Sequence, residues 1–183
     1  MKIRDNYRIV IDGYNLIFQC GLQGKRRDSL ALEKARQRAI STIRKWLGED
    51  LNRAAIVFDA CRLPIKENHN VSQVGGLTII YAVDFDDADS MIEEIIRTHS
   101  SPKQLLVVSS DNRVKNAALR RNAKAVNSDT WYDSLEQDFE SLSRRGIYSD
   151  QSGSDAQPDF EKDTSSGLEN IDWLKEFGYQ EDD

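Results

Sequence analysis

The sequence has few cysteines, few histidines and no long apolar run, and each absence removes a class of protein. Two cysteines, Cys20 and Cys61, are too few for a disulfide framework and lack metal-type spacing. Both are expected to be reduced and chemically idle. No apolar stretch approaches the roughly 20 residues of a membrane-spanning helix. The opening residues, MKIRDNYRIV, run directly into a strand pattern without the apolar core and cleavage site of a signal peptide. A soluble cytoplasmic protein with no membrane partner is expected. The two histidines, His69 and His99, are too few for an imidazole-based metal centre. There is no internal repeat and no nucleic-acid-binding module with aromatic platforms.

What is present is charge, unevenly spread. Of 183 residues, 39% are hydrophobic and 31% charged, with a net charge of −6. From Tyr148 onward there are 11 acidic residues against 2 lysines, leaving 23 basic and 20 acidic residues before it. A mildly basic body of residues 1–146 therefore precedes an acidic segment, 147–183, whose composition predicts disorder. Within that tail, NIDWLKEFG at 170–178 carries a short apolar stripe and is expected to dock, on a protein partner or on the basic part of the body.

The body alternates strands and helices. Apolar runs at Arg8–Ile11, Ala54–Ala60, Gly76–Val83 and Gln104–Asp111, with a further short one at Ala123–Asn127, read as strands. Helical spacing appears over about Ser29–Leu47, Asp87–Thr98 and Arg113–Arg121. Strands that are apolar throughout and separated by helices predict an α/β fold with a mainly parallel sheet covered on both faces.

The strands end on acids. Asp12 closes the first, Asp59 the second, Asp84, Asp86, Asp87 and Asp89 follow the third, and Asp111 closes the fourth. In a parallel α/β sheet all strand C-termini share one edge, where ligands bind. Any one of these residues serves equally well as a turn residue or helix cap, Asp87 above all. Taken together they crowd like charges at one edge, which is unfavourable without a compensating cation or several donors. Carboxylates without histidine or cysteine select a hard cation, Mg²⁺ or Mn²⁺. Phosphodiester hydrolysis is the matching reaction class. Asn15, three residues after Asp12, would then orient Asp12 or a bound water without adding charge, or simply cap a helix.

The ordered set VIDGYNLI (10–17), VFDA (57–60), ADSMIEEII (88–96) and VVSSDNR (107–113), with the helix LEKARQRAISTI (32–43), resembles the YacP-like branch of the NYN-domain ribonucleases, relatives of PIN nucleases. The resemblance covers about residues 8–136 and leaves the acidic tail outside it. It implies a Rossmann-like PIN-type sheet and a metal-dependent endoribonuclease, with a ribosome-associated, mRNA-cleaving role for part of the branch. Carried over by motif, Asp12, Asn15, Asp59, Asp89 and Asp111 form the catalytic set, with Asp12, Asp89, Asp111 and Asp87 around the metal. The run VDFDDADS departs from the branch's usual Thr-containing pattern and adds Asp86 and Asp87; Asp89 is preferred as the metal-facing acid and Asp87 as its supporting partner.

Binding to single-stranded RNA or mRNA requires cations. Lys25, Arg26 and Arg27, between Gly24 and Asp28, are expected to contact phosphates beside the carboxylate edge, and Arg113 and Lys115 to do so at a helix start. Arg44 and Lys45 near a helix C-terminus are expected to be solvated surface, and Tyr14 to lie in the core rather than stack on a base. Two other readings of the same scaffold stay open: a non-catalytic RNA- or ribosome-binding adaptor, and an Asp-dependent phosphatase with Asp12 as nucleophile. Tyr14 stands where such a phosphatase places its general acid, which weighs against the second.

Overall fold

The computed structural model describes residues 7–24, 29–60 and 70–145. The basic triplet Lys25, Arg26 and Arg27, the residues Cys61 and His69, and the acidic tail with its 170–178 segment lie outside them.

Strand β1 (Ile9–Asp12) passes without a loop into helix α1 (Gly13–Gln19), and α2 (Ser29–Trp46) follows. Then come β2 (Ala54–Asp59), β3 (Val71–Val74), β4 (Leu77–Ala82), α3 (Ala88–Thr98), β5 (Leu106–Val108), α4 (Asn112–Arg120), β6 (Lys124–Val126) and α5 (Ser128–Arg144). The six strands form one sheet in the order β3-β4-β2-β1-β5-β6, parallel except for β3, which pairs antiparallel with β4. Strand order runs outward from β1 in both directions, so the crevice between the C-terminal ends of β1 and β5 is the switch point of the topology.

Both faces of the sheet are buried, which explains strands that are apolar at every position. On one face Ile9, Ile11, Ile56, Phe58 and Val108 pack against Leu16 and Ile17 of α1, Ala39 and Ile43 of α2, and Trp131 and Leu135 of α5. On the other, Val10, Val57, Ile80 and Val107 meet Ile92, Ile95 and Ile96 of α3 and Val114 and Ala118 of α4. Among the described residues no helix is long and apolar enough to cross a membrane.

Three elements go beyond the sequence reading. Helix α1 occupies residues expected as loop, because Asp12 caps it: the Asn15 N–H donates to Asp12 Oδ1 at 3.0 Å. Strand β3, expected as loop, is an edge strand joined to β4 through Gly75-Gly76, both with positive φ (55° and 97°), the two-residue hairpin geometry that glycine favours. Helix α5 closes the α1–α2 face by burying Trp131 completely.

Gly13 also has a different role from the one its position suggests. It does not serve a tight turn; it is the first residue of α1, and a Cβ there would stand 2.3 Å from the ring of the fully buried Phe58. The missing side chain is the space into which Phe58 packs.

Candidate active site

Asp12, at the end of β1, is the organising residue. Its side chain is only 5% exposed, and both of its oxygens accept hydrogen bonds: Oδ1 from the Asn15 backbone N–H and Oδ2 from the Ser109 hydroxyl at 3.0 Å. Ser109 Oγ in turn accepts the Asp111 N–H at 3.1 Å, so a single buried hydroxyl ties the end of β1 to the residue that starts α4. Burial pushes the Asp12 carboxyl up to about 6; the two hydrogen bonds oppose the rise, and the charges of Asp89 and Asp111 add to it.

Asp89 lies in the first turn of α3 and is half-buried. Its carboxyl is also held above the ordinary value, first by burial and then by the charges of Asp111 and Asp87, against a lowering by Arg113. Asp111 caps α4, its Oδ1 accepting the Arg113 N–H at 2.6 Å. The structure therefore brings Asp12, Asp89 and Asp111, from β1, α3 and the β5–α4 junction, within mutual electrostatic reach at the switch point. Among the described residues no group of three or more His, Cys, Asp or Glu side chains is arranged to hold a metal ion.

The remaining expected residues fall into different places. Asp59 ends β2 in register with Ala82, two residues beyond the position paired with Asp12, and it is not among the groups acting most strongly on Asp12 or Asp89. Asp87 is the cap of α3: its Oδ1 accepts the Ser90 N–H at 2.7 Å and its Oδ2 pairs with Arg113 at 3.2 Å. Its carboxyl is held below the ordinary value, first by the Ser90 hydroxyl, then by the Ser90 N–H and by Arg113, against a rise from burial. The second-rank role given to Asp87 in the sequence thus corresponds to a bridge between α3 and α4.

Arg113 is the other half of that bridge. Its guanidinium donates to Glu93 Oε1 at 3.0 Å, Glu93 Oε2 at 3.2 Å, Ser90 Oγ at 2.9 Å and Asp87 Oδ2 at 3.2 Å. A guanidinium engaged on that many acceptors clamps the start of α3 to the start of α4. Lys115 is also committed, its Nζ donating to Asn127 Oδ1 at 2.8 Å across α4 and the start of α5.

Asn15 differs from expectation in an instructive way. Its side chain does not orient Asp12; its backbone does. The carboxamide oxygen instead accepts from the Ser110 N–H and from the Ser128 hydroxyl, each at 2.8 Å, while the Ser128 N–H donates to Ser110 Oγ at 3.0 Å. Ser109, Ser110 and Ser128 hold the candidate site together, and the sequence reading left them unassigned. The first two stand in the SSD run and carried a signal; Ser128 lies 113 positions from Asn15 and carried none.

Tyr14 is half-buried against Phe58 and Phe18, and its hydroxyl accepts from Arg36 at 2.6 Å, so the core reading holds. Arg36 itself is 3% exposed and also pairs with Glu33.

The family model for the YacP-like NYN domain matches residues 9–172. The chain belongs to the YacP-like NYN domain family. The match continues past residue 136, where the motif resemblance ends, into the acidic segment. Among solved structures, the crystal structure of Rae1 (YacP) from Bacillus subtilis aligns with a TM-score of 0.58 at 22% identity, covering 80% of this chain and 82% of that one. A mutant of that protein, with one tryptophan replaced by leucine, aligns with a TM-score of 0.52 at 21% identity, covering 75% and 81%. At these identities the likeness establishes the PIN/NYN-type fold. No curated protein matches the chain.

Proposed function

We propose that this YacP-like NYN domain is a metal-dependent endoribonuclease that hydrolyses phosphodiester bonds of single-stranded RNA or mRNA. The observation that carries the reading is the convergence of Asp12, Asp89 and Asp111, each from a different element, at the switch point of a parallel sheet, with Asp12 and Asp89 both raised in pKa partly by like charge. A protein gains nothing in stability from such crowding, so a cationic ligand is its natural complement.

The donor set fits Mg²⁺ or Mn²⁺ of a particular kind. With no three-residue cage among the described residues, the cation would be held by one or two carboxylates and keep water and substrate oxygens for the rest of its shell, which is the habit of Mg²⁺ at phosphate-handling sites. Asp89 and Asp111 are the residues to hold it, with Asp12 as the buried charge beneath. The chemistry such a cation supplies when bound is polarisation of a phosphoryl oxygen and acidification of water. The chain's own part is positional: the Asn15 N–H and Ser109 fix Asp12, Ser109 couples it to Asp111, and the Arg113 bridge fixes the start of α3 and hence Asp89. Phosphate contacts fall to the basic triplet Lys25, Arg26 and Arg27, in the connection between α1 and α2.

The phosphatase reading is disfavoured by Asp12 itself. A nucleophilic carboxylate needs an open oxygen, whereas Asp12 is buried and both of its oxygens accept hydrogen bonds. The adaptor reading draws on the absence of a closed metal cage among the described residues.

The test is incubation of the purified protein with an unstructured RNA and with a generic phosphate monoester, each with Mn²⁺ and with EDTA. Internal RNA cleavage with Mn²⁺ alone, and an untouched monoester, is the expected result. RNA that is bound but uncut in both conditions would establish the adaptor instead.

A further inference from the structure

The Asn15 carboxamide is fixed in one orientation by groups that leave no ambiguity. The Ser110 backbone N–H can only donate, so the side-chain atom facing it at 2.8 Å is the oxygen, and the Ser128 hydroxyl donates to that same oxygen at 2.8 Å. The NH₂ group therefore points away from both. Among the described residues it donates to no protein acceptor. Asn15 itself stands at the sheet edge, in the first turn of α1 beside Asp12 and against the SSD run that ends in Asp111.

Ser128 is completely buried at the first position of α5, and its N–H is used on Ser110 Oγ. A buried serine there needs a partner for its hydroxyl, and the partner is Asn15. Through this bond and the Ser128 N–H bond to Ser110 Oγ, the start of α5 reaches the candidate active site.

We propose that Ser128 is a positioning residue: together with the Ser110 N–H it holds the Asn15 carbonyl oxygen, so that the Asn15 NH₂ is presented as a fixed hydrogen-bond donor to a non-bridging oxygen of the substrate phosphate. The inference rests on the phosphodiesterase reading above and adds two assignments to it. Asn15 touches the substrate as a donor and is no metal ligand, because its only ligating atom is already engaged twice. Ser128 acts only through Asn15. A preset donor of this kind acts on charge developing at phosphate oxygen without reorganisation at the moment of reaction.

The test combines an activity-independent measurement with a double-mutant cycle. In the full chain, the Asn15 side-chain amide signals in a ¹⁵N–¹H spectrum should shift or broaden in Ser128→Ala, while backbone signals far from the site stay in place. In RNA cleavage with Mn²⁺, Ser128→Ala should lower kcat about tenfold with little change in KM, and Asn15→Ala about a hundredfold. In the Asn15→Ala background, Ser128→Ala should have no further effect on kcat, since the group it positions is gone. Should Ser128→Ala fail to fold, Ser128→Cys, close in volume and a poor donor, carries the same cycle. Unchanged Asn15 amide signals, or an equal loss of kcat in both backgrounds, would overturn the assignment. A wild-type chain that cleaves no RNA would refute the function and leave the spectroscopic result to decide the geometry alone.

Discussion

Replacing Asp12 by Asn should stabilise this protein at neutral pH when metal is absent. The Asp12 carboxyl is raised from 3.8 to about 6, chiefly by burial. Its folded-state pKa lies above its unfolded one, so its contribution to stability is fully present below pH 3.8 and is lost as pH rises through about 6. At about 1.4 kcal/mol per pH unit, ionising it in the fold costs about 3 kcal/mol at pH 8. Asparagine is nearly isosteric: its oxygen can take the Asn15 N–H, and its NH₂ can donate to Ser109 Oγ once that hydroxyl turns. With imperfect hydrogen bonding subtracted, a net gain of about 1–3 kcal/mol at pH 8 is expected, shrinking to nothing at pH 4. Denaturant melts of both proteins in EDTA at pH 4, 6 and 8 measure it. An Asp12→Asn protein less stable than wild type at pH 8, or a difference that does not change with pH, would refute the reasoning.

Other perturbations probe separate parts of the structure. Gly13→Ala drives a methyl group into the Phe58 ring and should cost about 1–3 kcal/mol in denaturant melts, whereas an exposed glycine replaced in the same way would cost nothing comparable. Arg113→Ala removes the bridge to Asp87 and Glu93 but no phosphate contact, so the salt dependence of RNA affinity should be unchanged while cleavage slows; a flatter salt slope would restore Arg113 to the binding surface. Replacing Lys25, Arg26 and Arg27 together by Ala should weaken RNA binding evenly across sequences and flatten that slope, with little effect on the melting temperature.

The parallel sheet was legible because burial on both faces leaves a local record: β1, β2, β4 and β5 are apolar at almost every position and punctuated by Asp. The same punctuation pointed to Asp12 and Asp111, and the resemblance of ADSMIEEII to the family motif singled out Asp89 among the acids after β4. Short or edge elements leave weaker records. GYNLIFQ is too short to show helical periodicity and followed a strand end, so it read as loop until the Asp12 cap revealed α1. Strand β3 has four residues at the sheet edge, the middle two exposed, so its signal resides in the Gly75-Gly76 turn rather than in its own composition. The support of the site was least legible. Arg113 looked like a free cation because its acceptors come from α3 and its cap, 20 to 26 positions away, and Ser128 drew no reading because its partner is on α1. Polar contacts between distant segments depend on the assembled fold, and no periodicity encodes them.

The central claim is that the carboxylates gathered at the β1–β5 switch point cut RNA, and Asp89 tests it most directly because it is half-buried and outside the hydrogen bonds that fix Asp12. Single-turnover cleavage of an end-labelled, unstructured RNA should be measured with Mn²⁺ for wild type and Asp89→Asn, after their melting curves have been shown to agree in EDTA. Wild type should produce internal cuts, and Asp89→Asn should be slower by about a hundredfold or more. Equal rates for the two proteins would place the chemistry away from this crevice and contradict the claim.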